Sequence, residues 1–430
     1  MNKKHNLLLL TILLFASPLL AQSADDYRVF YDNKEYKKSY DIVIVKLNEI
    51  YSKMVEDKRV PIGYISLTNI AEDVDLVALF RNRKEKGFFI EDNAELAGLH
   101  LFAARCSVHL DKRKEGLNHY IQSLRFRKIE LQRDDVIFYE ISQVFKSYDD
   151  PLYFKGYVDA LEQAYTLNQT EYMYSYELGN ALYTTREVKK AIFHLRRYAE
   201  NSQETIDPTV YLKLASLYEG LERYLETEKY YNEYLRLKPD DAEIQFALGH
   251  IAYLKTGNYI LAESFLQKAL RSVSDDDIYR RSKSYEYLGD MLFNNLKYSR
   301  AIEHYRQCIN YQTNILQSIE LNKTQRLEKT AEINKLKEAL INDREFEKYE
   351  EYEILVDERN KIDKNIEILQ LEFRKLQAGK VRWNLAVAYE KTGQYQEAIS
   401  YYREAITYNY NSNDARDMIV KLQLKIKRGY

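Results

Sequence analysis

The strongest constraint on this chain is a pattern that returns about every 34 residues. In 379–412 it reads Leu385, Ala386, Tyr389, Gly393, Tyr395, Ala398, Tyr402 and Ala405. In 282–315 it reads Tyr285, Leu288, Gly289, Leu292, Tyr298, Ala301 and Tyr305, with Cys308 where Ala stands elsewhere. In 208–241 it reads Tyr211, Leu214, Ala215, Tyr218, Tyr224, Tyr231 and a closing Pro239. The window 243–276 carries Tyr253, Gly257, Tyr259, Ala262 and Ala269. Its Leu248–Gly249 pair comes one residue early, so its first helix has slipped or gained a residue. The window 172–205 keeps Leu178, Gly179, Leu182, Ala191 and Leu195 but has lost most aromatics. A period of this length predicts one antiparallel helical hairpin per unit. A single hairpin cannot bury its own apolar face, so each must stack on the next.

The residue types agree with that geometry. Gly179, Gly289 and Ala386, with Ala191, Ala301 and Ala398, let the two helices of a hairpin approach closely. Gly257 and Gly393 stand at the turn, where a left-handed residue is needed. Tyrosines, 40 in all, fill the gaps between hairpins with large, semi-polar surface. Only 13 Gly and 5 Pro in 430 residues favour long helices with short connections.

On these residues the chain resembles the tetratricopeptide-repeat superfamily over roughly 97–412, apart from one insertion. The resemblance implies an all-α fold: a right-handed solenoid of helical hairpins. It also implies that the first helix of each hairpin lines a concave groove that receives a peptide or partner helix. The groove positions are then Tyr176, Asn180 and Tyr183; Lys213, Ser216 and Glu219; Asp290 and Phe293; and Trp383, which packing against the root of the insertion would explain equally well. Relatives that clamp acidic chaperone C-termini need a set of Lys, Asn and Arg in adjoining repeats. Asn180 alone matches, so that ligand class is not expected.

Upstream the pattern weakens. Residues 97–126, with Gly116 and Tyr120, and 136–167, with Pro151 near the turn, read as degenerate hairpins within 97–171. Residues 25–96 hold amphipathic stretches (35–54 and 65–83) and read as a helical N-terminal cap over the apolar end of the stack. At the other end, 413–430 reads as a capping helix with Asp414 as its N-cap.

Repeat starts fall at 172, 208, 243 and 282, then at 379, which leaves 316–378 as an insertion without Pro. Ile333, Leu336 and Leu340 mark one apolar seam; Ile362, Ile366, Leu369, Phe373 and Leu376 mark another. Polar 342–353 lies between. Two seams around a polar break predict that neighbouring repeat helices overrun and pair as an antiparallel coiled-coil arm, with Gly379 as a kink at its root. One continuous helix pairing with a second copy is the competing arrangement. The insertion holds 12 basic and 15 acidic residues, so it offers no phosphate-binding face.

The N-terminus, "MNKKHNLLLLTILLFASPLLAQSADD", joins Lys3 and Lys4 to an apolar run and small residues, which predicts a signal peptide over 1–21. No Cys follows it, so lipid attachment there is excluded. A periplasmic location and no stable membrane insertion are expected. Cys106 and Cys308 fall on apolar helix faces and are expected as buried free thiols rather than a disulfide.

A net charge of −2 gives no nucleic-acid surface. The seven His are scattered, with no H-E-x-x-H and no paired-cysteine metal spacing. His109 and His119 could share a helix face but read as packed rather than ligating. No phosphate-binding glycine loop and no G-x-S-x-G occur. No enzymatic role, cofactor or metal is expected, and the expected partners are other proteins. The resemblance extends to an exported scaffold in a cell-envelope assembly, such as the periplasmic flagellar collar of spirochaetes. A periplasmic chaperone or adaptor for outer-membrane protein or peptidoglycan assembly is the alternative.

Overall fold

The computed structural model describes residues 26–57, 76–130, 133–148, 150–202, 206–343 and 348–428. The expected signal peptide and most of the 65–83 stretch lie outside the described residues. Every regular element among the described residues is helical. The chain divides into two compact units, Met1–Thr205 and Ile206–Tyr430.

In the first unit, α1 (Tyr27–Asp32), α2 (Tyr36–Glu56) and α3 (Leu76–Lys86) precede three hairpins. These are α4 (Ala94–His109) with α5 (Arg113–Arg125), α6 (Asp135–Lys146) with α7 (Pro151–Leu167), and α8 (Tyr172–Thr184) with α9 (Val188–Asn201). Helix α2 covers α4: Tyr40, Val43, Leu47 and Tyr51 pack into Leu96, Ala97, Leu99, Ala103 and Cys106. Helix α3 seats Phe80 among Phe88, Phe138 and Phe145, at ring separations of 5.4, 6.4 and 5.7 Å. Pro151 opens α7 at a position whose N–H would be unsatisfied in any helix.

The second unit continues with α10 (Thr209–Gly220) and α11 (Tyr224–Leu237), then α12 (Ala242–Ile251) and α13 (Tyr259–Ser272). It ends with α14 (Ile278–Asn294), α15 (Tyr298–Glu338), α16 (Tyr349–Lys375), α17 (Ala378–Lys391), α18 (Tyr395–Thr407) and α19 (Ser412–Lys427).

One backbone device repeats through both units. The turn between paired helices holds a left-handed residue: Asp111 (φ 58), Arg186 (φ 61), Glu222 (φ 57), Gly257 (φ 68), Leu296 (φ 58) and Gly393 (φ 81). After five of them the next N–H donates to a carbonyl five residues earlier, as in Arg223 to Tyr218, Lys297 to Leu292 and Gln394 to Tyr389, each 2.9 Å. That closure satisfies helix-end carbonyls. Only two of the six positions are Gly, so in the other four an L-residue bears the strain.

Hairpins close tightly at the expected small residues. A Cβ on Gly179, Gly249 or Gly289 would lie 2.8 Å from Leu195, Leu266 or Tyr305. Gly249 occupies this place although it comes one residue early. The added residue is absorbed in a π-helical turn at Ala252–Thr256, which restores the phase before Gly257.

The insertion is a projecting hairpin of helices. Helix α15 is 41 residues long; its first part packs in the stack and the rest leaves it, ending in a π turn at Ala339–Asp343. Helix α16 returns antiparallel to it: Asn365 donates to Asn322 (3.1 Å), Lys329 pairs with Glu358 (3.1 Å) and Arg326 with Asp363 (3.5 Å). Its root is apolar, with Ile315, Ile319 and Leu376 buried against Leu369 and Phe373. The antiparallel return within one chain replaces the single continuous helix. The break falls at Leu376 (ψ 130), not at Gly379, which lies inside α17. Gly379 serves close packing instead: a Cβ there would meet the Cβ of Tyr410 at 2.5 Å. Asn411, not Asp414, is the N-cap of α19; Asp414 sits in the first turn, where its charge suits the helix dipole. Cys106 and Cys308 are buried free thiols.

Candidate protein-interaction surface

Each unit presents its own first-helix face. On α8, Tyr176, Asn180 and Tyr183 follow i, i+4, i+7 spacing and share one half-buried side. Tyr176 rests against Tyr198, ring centroids 4.7 Å apart. On the same helix Glu177 accepts hydrogen bonds from Lys146 (2.6 Å) and the Tyr157 hydroxyl.

In the second unit, Lys213, Ser216 and Glu219 share a side of α10, and the last two are exposed. Glu219 accepts from Tyr231 at 3.3 Å. The equivalent pair recurs in the last hairpin, where Tyr402 donates to Glu390 at 3.1 Å. In the intervening α14 hairpin, Phe293 stands where those acids stand, and Tyr305 turns to Asp290 instead, at 2.6 Å.

Asp290 is therefore not a groove residue. It is 4% exposed and also accepts from Lys380 (2.6 Å), Asn384 (3.1 Å) and Tyr253 (3.3 Å). Nearby, Lys283 pairs with Glu286 at 2.8 Å, and Lys380 reaches Glu286 at 3.6 Å. Arg382 donates to Gln312 (2.7 Å) and Glu404 (3.0 Å), with its guanidinium over Tyr408. This buried network joins α14, α15 and α17 on both sides of the insertion. Burial alone would lower the Lys380 pKa, and the Asp290 and Glu286 carboxylates more than reverse it. Burial and Asp290 push the Tyr305 phenol well up, and burial raises the Cys308 thiol to about 12. The acids and lysines answer one another within the fold.

Phe293 and Trp383 are half-buried packing residues. Phe293 meets Tyr298 edge-on at 5.4 Å. Trp383 lies against Tyr402 at 5.1 Å and Tyr410 at 6.4 Å, within its own hairpin and the turn that follows. Lys380, Asn384 and Glu286 went unnoticed in the sequence because each reads there as an ordinary polar residue of a solvated face. His119 pairs with His100, not His109: their Nδ1 atoms are 3.0 Å apart, and Tyr51 lies 2.8 Å from His100 Nε2. His109 stacks on Tyr36 at 4.0 Å.

Paired helices with a small closing residue and a left-handed turn define a helical-hairpin repeat protein. The tetratricopeptide-repeat family profiles match residues 212–277 and 379–412. The chain thus carries tetratricopeptide repeats, which are generally interaction modules. No curated protein sequence matches it. Among solved structures it is similar to MamA from Desulfovibrio magneticus (17% identity, TM-score 0.29, 46% of this chain and 95% of that one). It is also similar to YrrB, described as a tetratricopeptide-repeat protein with an unusual peptide-binding site (15%, 0.33, 42% and 87%). A third is a tetratricopeptide-repeat protein from Parabacteroides merdae (14%, 0.32, 67% and 98%).

Among the described residues no helix is long and apolar enough to cross a membrane. Nor do three or more metal-capable side chains gather there.

Proposed function

We propose that this chain is a non-enzymatic, exported scaffold that holds proteins together in a bacterial cell-envelope assembly. The observation that carries this reading is the projecting arm. A fold built to bury apolar surface nevertheless carries Leu321, Leu327, Ile341, Ile354, Ile368 and Leu371 exposed on a hairpin outside the stack. Exposed apolar side chains on an extension that the repeats do not need for their own packing fit a docking element. Export rests on the basic and apolar N-terminal sequence, and the periplasm is the compartment it favours. Within that class, a periplasmic flagellar collar of the spirochaete type is the finer reading, supported by layout and export alone.

The test is affinity purification with crosslinking from native cells, comparing wild type with a variant whose residues 320–374 are replaced by a short Gly/Ser loop. If circular dichroism shows the repeats folded and specific partners vanish, the arm is the docking element. Persistence of every partner would remove the arm's role and move attention to Tyr176, Asn180 and Tyr183. Localisation of a tagged copy away from flagellar basal bodies would end the collar reading.

A further inference from the structure

The second unit ends in a helix whose outer face is left uncovered by the described residues. On α19, Val420 is 56% and Leu424 49% exposed, one helical turn apart. Around them stand Lys421, Lys425, Lys427 and Arg428, with no acid from Met418 onward. A groove of about 410 Å³ runs beside this face between α18 and α19, lined by Ile399, Arg403, Gln423, Ile426 and Lys427 among others. Asp417, exposed on the same side one turn before Val420, is the acid at the face's N-terminal edge; beyond it the face is apolar in its middle and positive around it.

The opposite composition stands at the far end of the arm. The start of α16, 349–358, carries Glu350, Glu351, Glu353, Asp357 and Glu358 and no cation. Of these acids, Glu358 is engaged by Lys329 across the arm and Glu353 accepts a hydrogen bond from Tyr349. Tyr349 (56%) and Ile354 (54%) are exposed among them. We propose that the outer face of α19 receives the start of α16 from a second copy of this chain: Ile354 seats on Val420 and Leu424, and the acids that flank it face the lysines and Arg428.

Geometry excludes the same contact within one molecule. Helix α19 starts at the arm's root, where Tyr410 abuts Gly379 and Tyr408 lies near Phe373. It neighbours α18 and, like α17, runs away from that root. The start of α16, 349–358, lies about 22 to 36 Å out along the arm, at ~1.5 Å per residue from Phe373. Cross-limb pairs at 322/365, 326/363 and 329/358 hold the two limbs antiparallel out to residue 358. The two surfaces therefore point apart. Because the two surfaces differ, the contact is either exchanged reciprocally in a closed two-fold dimer or continues from copy to copy as a row or ring. Its charges make it sensitive to salt.

Sedimentation velocity on the full chain across a concentration series tests this. The expected result is concentration-dependent association of wild type. Either K421E/K427E/R428E or E350K/E351K/E353K weakens it by about tenfold or more. An equimolar mixture of the two variants restores it, because each reversed surface then meets its complement. A wild type monomeric throughout overturns the proposal. So does a mixture that stays dissociated, or association lost in the arm variant but kept in the α19 variant, which would place arm against arm. An independent check leaves charge untouched: mixing Ile354→Cys with Leu424→Cys under mild oxidation should give a mixed disulfide dimer. Its absence counts against the contact.

Discussion

The Lys380 ammonium lies 2.6 Å from Asp290 Oδ2, joining residues 90 positions apart across the whole insertion. With Tyr305, Asn384 and Tyr253 on the same carboxylate, it fixes α17 against α14 as though the intervening helices were absent. Removing Asp290 leaves the half-buried Lys380 with only a longer contact to Glu286 and takes from Tyr305, Asn384 and Tyr253 their shared acceptor. Asp290→Ala should therefore cost about 2–3 kcal/mol, below the range for a fully buried pair because Lys380 keeps some solvent. Replacing both partners by Leu and Met should cost much less. Urea unfolding followed by fluorescence of Trp383, the single tryptophan, reads this unit directly.

Leu296 holds a left-handed backbone (φ 58) while its side chain is 71% exposed. The strain for an L-residue there is about 1–2 kcal/mol, and Gly relieves it at some cost in unfolded-chain entropy. Leu296→Gly should raise stability by about 1 kcal/mol, and Gly393→Ala should lower it by a similar amount. Thermal or urea midpoints of the two variants should move in opposite directions.

Gly379 faces Tyr410 so closely that an added Cβ meets another Cβ, not the flexible end of a side chain. Gly379→Ala should cost about 1–3 kcal/mol through forced backbone movement. A variant as stable as wild type in urea would show that α17 and the turn before α19 can part without penalty.

In the first unit, burial lowers the His119 pKa to about 4, with Glu115 opposing. Burial, then His119 and Arg125, push His100 down as well. The unfolded chain takes up protons below about 6.5, whereas folded His119 takes one only near 4. Stability is thus full above about pH 6.5 and falls as pH drops towards 4, by about 3 kcal/mol from His119 alone. Unfolding followed by far-ultraviolet circular dichroism at pH 7, 5.5 and 4.5 should show the loss. His119→Gln should flatten it.

The repeats were legible because their determinants are local: small residues where helices touch and a fixed distance from them to the turn. Arg186, Glu222 and Leu296 were not legible as left-handed residues, since nothing in their chemistry marks that conformation. The early Leu248–Gly249 pair signalled an added residue, and only the backbone reveals that a π turn absorbs it. The candidate surface was less readable. Asp290 carries the same charge whether it faces a ligand or a lysine from another helix. That distinction depends on Lys380 arriving after the insertion. Trp383 likewise reads as a binding aromatic until Tyr402 and Tyr410 are found against it.

Helix α15 is half embedded and half free, with no break between Tyr298 and Glu338. Its inner part shares a buried core with α17 and α18 through Tyr305 and Cys308. Mechanically it is a lever whose fulcrum lies in the protein interior. A sideways load at the arm's end reaches the repeats as a torque, magnified by the arm's length, through the apolar root at Ile315, Ile319 and Leu376 and the Gln312–Arg382 contact behind it. Whatever grips the far end can thus tilt the repeats beyond the insertion relative to those before it.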